Sequence, residues 1–237
     1  MEYNEFKNIV LEDLKYINKE IKEESINKLY LFMNNLIEWN KNINLTAIKD
    51  EREIILKHFI DSIYISDLIK GKVLDIGSGA GFPGLPLKII DENLELVSID
   101  SVNKKINFQL DTIKKLQLKN IEALHVRAEE LAHDNKYREK FDFVVSRAVA
   151  NLSTLSEYMI PFVKVGGKCI CLKGPNCEEE INDAKNAIRL LGGRIESVKE
   201  YKISEEIDRT IVIISKEKNT NILYPRGQGK PSKNPLK

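Results

Sequence analysis

The chain has 237 residues, with 37 Lys and Arg against 36 Asp and Glu for a formal charge of +1, and 42% of its residues are hydrophobic. That length buries a full core as one domain with an appendage or as two small domains, and the composition is that of an ordinary globular protein rather than a disordered chain. No apolar run approaches the roughly 20 residues of a membrane span, the opening Met1-Glu2-Tyr3-Asn4-Glu5 has no secretory character, and the balanced total charge leaves room for a local basic patch.

The first seventy residues read as helical. Ile26, Leu29, Tyr30, Met33, Leu36 and Ile37 recur at the three-and-four spacing of an amphipathic helix that starts near Glu24-Ser25. Asn40, Asn42 and Asn44 break the pattern, and Asn44-Leu45-Thr46 reads as a loop. A second helix is expected from about residue 51 to 68, carrying Ile54, Ile55, Phe59, Ile63 and Ile65. Three units follow from the pattern: a helical subdomain over 1–70, a main domain over 71–215 and a basic tail over 216–237.

After Gly71 short apolar runs alternate with longer periodic stretches. The runs are Val73–Ile76, Leu94–Ile99, Ile121–Leu124, Phe141–Val145 and Cys169–Leu172. Repeated β-α units of this kind predict an α/β fold, a mostly parallel sheet with helices on both faces. Two further strands, Ile195–Tyr201 and Thr210–Ile214, close the pattern with no long helix between them, like a hairpin.

The three cysteines, Cys169, Cys171 and Cys177, fit a reduced, cytoplasmic compartment. An extended strand puts Cys169 and Cys171 on one face, where both pack as small apolar groups. With no matching Cys or His pair nearby, no metal site is expected. From Ser215 onward six cations, Lys216, Lys218, Arg226, Lys230, Lys233 and Lys237, stand against Glu217 alone, among three prolines and two glycines. Such a segment builds no core of its own; it reads either as a solvated tail or as an arm that contacts phosphate.

The chemistry is carried by Leu74-Asp75-Ile76-Gly77-Ser78-Gly79-Ala80-Gly81-Phe82-Pro83-Gly84, which follows a strand and leads into a helix. Gly79, Gly81 and Gly84 also form a literal Gly-x-Gly-x-x-Gly, so a dinucleotide-binding dehydrogenase has to be weighed. Three features favour a class I S-adenosylmethionine-dependent methyltransferase, a Rossmann-like sheet with an antiparallel last strand and an N-terminal helical extension. Asp75 gives Asp-x-Gly-x-Gly-x-Gly, an acid placed to order the loop amides near the charged amino acid part of the cofactor. Asp100 ends the next strand at the distance of a ribose-binding carboxylate, although dehydrogenases share it. The closing hairpin suits the methyltransferase sheet alone. Asp75, Gly77, Gly79, Gly81 and Asp100 are therefore the expected cofactor residues.

Ala128 and Glu129 follow the third strand, either as adenine contacts or as a helix start with acids in its first turn. The fourth strand ends at Ser146-Arg147 without the Asn-Pro-Pro-aromatic of amine methylation and without a nucleophilic cysteine.

At this point the chain resembles the bacterial small-subunit ribosomal RNA methyltransferase G family, formerly called glucose-inhibited division protein B. The resemblance runs through Asn44–Ile48, Lys57–Ser62, Leu74–Lys88, Asp100-Ser101, His125–Glu130, Ser146–Ala148, Leu172–Gly174 and Tyr224–Arg226. It implies methyl transfer to N7 of a guanine in 16S rRNA near the decoding region. It also places Gly77, Phe82, Ala128, Glu129 and Arg147 on cofactor-contacting positions, and Asp100 on the ribose acid.

Arg147 is the expected catalytic-site residue, ordering the pocket or meeting the incoming base; a structural ion pair is the other reading. His58 and Asp61, three residues apart on one helix face, either buttress the pocket or are simply satisfied in the core. Lys104, Lys105, Arg127, Lys173, Arg209, Arg226 and Lys230 are the expected RNA-binding cations, with the register around Asn103-Lys104-Lys105 left open. The expected partner is 16S rRNA or the small ribosomal subunit, with no membrane and a monomeric protein. The competing functions are a methyltransferase of proteins or small molecules, and a non-catalytic RNA-binding protein that retains the pocket.

Overall fold

The computed structural model describes residues 1–236. The chain opens with α1 (Tyr3–Tyr16) and α2 (Glu23–Asn40), whose inward residues Ile26, Leu29, Phe32, Met33 and Leu36 follow the expected spacing. Asp50 caps α3 (Glu51–Ile54), its carboxylate accepting from the Glu53 amide at 2.9 Å. The chain then widens into a π turn over Ile55–Ile60, narrows to α4 (Asp61–Tyr64) and ends in a 3₁₀ turn at Ser66–Leu68. A π turn inside a helix is a common mark of a functional position, and this one carries His58.

From residue 72 the β-α alternation is realised in full: β1 (Lys72–Ile76), α5 (Gly84–Ile90), β2 (Glu95–Asp100), α6 (Asn103–Lys115), β3 (Ile121–His125), α7 (Ala128–Leu131), β4 (Phe141–Arg147), α8 (Leu152–Met159), β5 (Val163–Lys173) and α9 (Glu178–Leu190). The long hairpin β6 (Gly193–Ser204) and β7 (Ile207–Lys216) follows, and a short α10 (Lys230–Lys233) ends the described chain. β5 begins six residues before its apolar run. Its first half, Val163–Lys168, holds two glycines and two exposed lysine and valine positions, so it carries no hydropathy signal.

The sheet has seven strands in the order β3-β2-β1-β4-β5-β7-β6. β1 to β5 run parallel, and β7 is antiparallel to both β5 and β6. The strand order reverses between β1 and β4, and ligands of such sheets bind in the crevice at the carboxyl ends beside this point.

Alternation along the buried strands splits the core in two. Val73, Leu96, Val145 and Ile170 face one side, where α1, α2, the residue 51–64 helix, α5 and α6 cover them. Leu74, Val97, Val144, Cys169 and Cys171 face the other, under α7, α8 and α9. The two cysteines thus share one apolar face, as the strand geometry requires. Phe32 of α2 is the hub of the first layer, its ring 5.4 Å from that of Phe59, 5.2 Å from Phe82 and 6.0 Å from Phe108. The amino-terminal helices therefore share a continuous core with the sheet. No helix among the described residues is long and apolar enough to cross a membrane.

The stretch from Lys216 onward is anchored to the domain and is not a solvated tail throughout. Lys216, the last residue of β7, is buried, donating from Nζ to the Ile160 carbonyl at 2.8 Å and to Thr220 Oγ1 at 2.6 Å, with Glu139 at 3.1 Å. Thr220 and Pro231 are buried as well. Polar and charged anchors hold this stretch down, and hydropathy is blind to them.

Candidate active site

The loop between β1 and α5 is shaped by the strand beside it. The Gly77 and Ser78 amides donate to the Ile99 carbonyl at 2.9 and 3.1 Å. The Gly79 amide donates to Asp100 Oδ2 at 2.9 Å, and the Val102 amide to Asp100 Oδ1 at 2.8 Å. Gly77 has φ +65, and a Cβ there would run into the Val149 side chain, so only glycine lets the β4–α8 loop approach so closely.

From below, the fully buried Gln109 of α6 braces the loop. Its Nε2 donates to Ser78 Oγ at 2.8 Å and to the Gly79 carbonyl at 2.7 Å, while its Oε1 accepts from Ser98 Oγ at 2.7 Å. Sequence reasoning missed Gln109; a lone polar residue on the apolar face of a helix is the signal that would have found it.

A cleft opens beside this loop. Of the expected cofactor residues, Gly77, Asp100, Ala128 and Glu129 line it. Ser101, Val126, Val149 and Tyr158 line it too and were not singled out from the sequence. Asp100 suits a ribose: its carboxylate is held by two main-chain N–H groups at the cleft wall, and each oxygen keeps a lone pair for a hydroxyl. Val126, Ala128 and the Tyr158 ring give the far end the apolar and aromatic surface that a flat base takes.

Asp75 lies beneath the loop and is fully buried rather than facing the cleft. Its Oδ2 accepts from the Gly84 amide at 2.8 Å, fixing the start of α5, while Oδ1 has no partner among the described residues. Burial pushes its carboxyl up to about 7. Gly79 and Gly81 give the loop its left-handed turns and are not among the lining residues.

Phe82 also turns away from the cleft, into the aromatic layer, where it stacks on the His58 ring at 4.5 Å and carries the Arg147 guanidinium at 5.3 Å. Arg147 ends β4 and reaches the amino-terminal helices. One nitrogen, Nη1, donates to the Lys57 carbonyl at 2.9 Å and to Asp61 Oδ2 at 3.1 Å; the other, Nη2, donates to His58 Nδ1 at 3.1 Å.

Because a guanidinium only donates, His58 Nδ1 must accept and the ring proton sits on Nε2, which donates to Thr46 Oγ1 at 2.9 Å. Burial, helped by the Arg147 charge, pulls His58 down to about 3, so the ring is neutral. Asp61, itself buried, also takes the Tyr201 hydroxyl at 2.8 Å and has Arg209 Nε at 3.6 Å. Arg147 thus is a member of an ion pair and the tie between β4, the Asn44–Ile48 loop and the β6–β7 hairpin. Tyr201 and Thr46 were not anticipated as parts of it.

The expected RNA-binding cations divide. Lys104 and Lys230 are exposed and carry no ion pair among the described residues. Lys105 is half-buried, 3.9 Å from Asp100, and the half-exposed Arg127 holds Glu129 through Nε at 2.8 Å and Nη2 at 2.6 Å.

The other three are engaged by partners within the protein. Lys173 is nearly buried, donating to the Ala150 carbonyl at 2.7 Å and pairing with Glu180. Arg209 sits in the Asp61 cluster. Arg226 pairs with the fully buried Glu157 at 2.8 Å. Composition counts a cation without its partner, and each of these has found one.

Residues 25–212 match the family described as rRNA small subunit methyltransferase G. The chain belongs to that family. It is similar, at 48% identity, to the ribosomal RNA small subunit methyltransferase G of Clostridium botulinum (strain ATCC 19397 / Type A), over 98% of this chain and 100% of that one. The counterpart from Acetivibrio thermocellus is 46% identical over 96% of both chains.

Among solved structures, M. jannaschii TYW2 in complex with AdoMet aligns at TM-score 0.51 and 16% identity, covering 65% of this chain and 74% of that one. A SAM-dependent methyltransferase from Aquifex aeolicus aligns at TM-score 0.50 and 20% identity, over 68% and 92%. These two likenesses carry the fold. As a member of the family, the chain is an S-adenosylmethionine-dependent methyltransferase, which its glycine loop, Asp100 and antiparallel β7 fit.

Proposed function

We propose that the chain transfers a methyl group to N7 of a guanine in 16S rRNA, in the decoding region of the small ribosomal subunit. The observation that supports this most is the full engagement of the polar groups at the end of β4. Arg147 donates to Lys57, Asp61 and His58, and His58 in turn donates to Thr46. None of these groups is free to remove a proton, and guanine N7 presents a lone pair with no proton to remove.

S-adenosylmethionine supplies the electrophilic methyl group of its sulfonium when bound. The work of the protein is alignment, which is worth about 7–11 kcal/mol when two reactants are held in register. Asp100 accepts from the ribose hydroxyls, Ala128 and Tyr158 flank the base, and Gly77 lets the main chain approach. The Arg147 cluster fixes the end of β4, and with it the Ala148–Asn151 loop beside the cleft. Lys104, Lys105, Arg127 and Lys230 are the cations left to meet phosphate, each adding salt-dependent affinity. The protein works as a monomer on its ribosomal substrate in the cytoplasm.

The test is nucleoside mass spectrometry of small-subunit RNA lacking the modification, after incubation with the protein and S-adenosylmethionine. New 7-methylguanosine is expected. A different methylated nucleoside, or none in either naked RNA or intact subunits, would sink the assignment. Arg147→Ala is expected to abolish the product; full activity in that variant would remove Arg147 from the site.

A further inference from the structure

The two walls on the base side of the cleft are weakly self-supporting. α7 is a single turn, too short to hold its own conformation, yet it supplies Ala128 and Glu129. α8 supplies Tyr158 from its last turn. Behind both helices lies the segment that follows β7, and its contacts concentrate there.

Arg138, buried and with no carboxylate partner among the described residues, fans its guanidinium over four main-chain carbonyls. Nη1 donates to Ala132 at 3.0 Å, at the end of α7, and to Tyr224 at 2.9 Å; Nη2 donates to Thr220 at 2.9 Å and Asn221 at 3.2 Å. His133 Nε2 lies 2.9 Å from the Pro225 carbonyl. On α8, Thr154 Oγ1 donates to the Pro231 carbonyl at 2.9 Å. Glu157, the neighbour of Tyr158, receives the Arg226 amide at 2.7 Å, Nε at 2.9 Å and Nη2 at 2.8 Å. Arg226 Nη2 closes the clasp on the Asn234 carbonyl at 2.8 Å.

We propose that residues 217–236 are a strap that positions α7 and α8 for the cofactor, with Arg226 and Glu157 as its clasp. The inference rests on the reading of the cleft as the S-adenosylmethionine site. Glu157 is fully buried, and without Arg226 it would be an uncompensated charge. α8 would then have to shift to bring the carboxylate to water, taking Tyr158 with it. In this arrangement the cationic tail serves the cofactor side of the reaction through a positioning residue, and Arg226 meets no phosphate.

The experiment is calorimetric titration with S-adenosylmethionine, paired with KM values for cofactor and for RNA, on the full-length chain. Arg226→Ala is expected to raise the cofactor Kd and KM about ten-fold, in the range of ordinary coupling between sites, with the KM for RNA unchanged. Arg226→Lys recovers part of the loss, and Ser232→Ala, an exposed change in the same tail, leaves both constants alone. A merely structural role would lower the melting temperature without separating the two KM values.

A folded Arg226→Ala chain that binds cofactor as tightly as the parent overturns the strap. So does one that loses RNA affinity alone, which would return the residue to an RNA role. Should Arg226→Ala not fold, the double variant Glu157→Gln with Arg226→Gln removes both charges and carries the same test. No cofactor binding by the unaltered chain would overturn the cleft reading and the strap together, whereas parental binding with no effect of the variants overturns the strap only.

Discussion

Two regions lie outside the β-α alternation, the amino-terminal helices and the segment after β7, and the sheet holds them by opposite means. The helices bury aromatic rings, with Phe6, Phe32 and Phe59 continuous with Phe82 and Phe108 of the sheet layer. The carboxyl-terminal segment brings fewer apolar groups inward; Ile222 and Leu223 are exposed, while Tyr224 and Leu236 pack half-buried against the layer under α8 and α9. It is fastened by side chains reaching out of the domain, Arg138, His133, Glu139 and Glu157, onto its carbonyls, its Thr220 amide and its Arg226. A segment poor in apolar residues can thus be well ordered when its neighbours supply the fastening groups.

The contrast can be broken at either end. Phe32→Ala removes a fully buried ring that touches three others, and a loss of about 3–5 kcal/mol in urea unfolding is expected. A cost below 1 kcal/mol would mean that the helices do not depend on the shared core. Arg138→Met strips the donors from four carbonyls, and leaving buried acceptors unmade costs about 1–3 kcal/mol each where water cannot replace them. A loss of about 2 kcal/mol, with faster hydrogen exchange confined to residues 217–236, is the expected result; no change would restore the solvated tail.

The His58 ring gives a pH signature. Its folded value is about 3 against 6.5 unfolded, so below pH 6.5 the unfolded chain takes up a proton that the folded chain refuses. Stability contributed by this group is complete above pH 6.5 and is lost as pH falls toward 3, at up to about 1.4 kcal/mol per pH unit. Asp75, raised to about 7, acts in the opposite sense over pH 4 to 7, so the measurement is the difference between the parent and His58→Gln. Equal pH slopes in the two chains would contradict a neutral buried ring.

The smallest effect is expected at the surface. Lys104→Ala should reduce the salt slope of RNA binding by about 1 and leave cofactor affinity unchanged. An unaltered slope would move the RNA track away from α6.

What the residues disclosed follows the same division. All seven strands were legible because apolar runs at strand length, separated by helical periods, have few other solutions, and Asp75 to Gly84 announced the loop. Gly77, Asp100, Ala128 and Glu129 reached the cleft because motif spacing fixes them to strand ends. Phe82 and Arg147 belong to a network that closes only in three dimensions, since Asp61 meets Arg147 across 86 residues and Tyr201 across 140. The partners of Lys173, Arg209 and Arg226 were hidden for a related reason. A charge in a sequence carries no mark of the carboxylate or carbonyl that will consume it.

The place of β7 bears on how the chain is made. β6 is an edge strand paired with β7, and β7 fills the gap beside β5. During synthesis β5 and β6 are made before the strand that joins them. The apolar edge Cys169–Leu172 therefore stays open, and β6 unpaired, until Lys216 has been added. Sheet closure thus requires a newer strand to be inserted between two older ones.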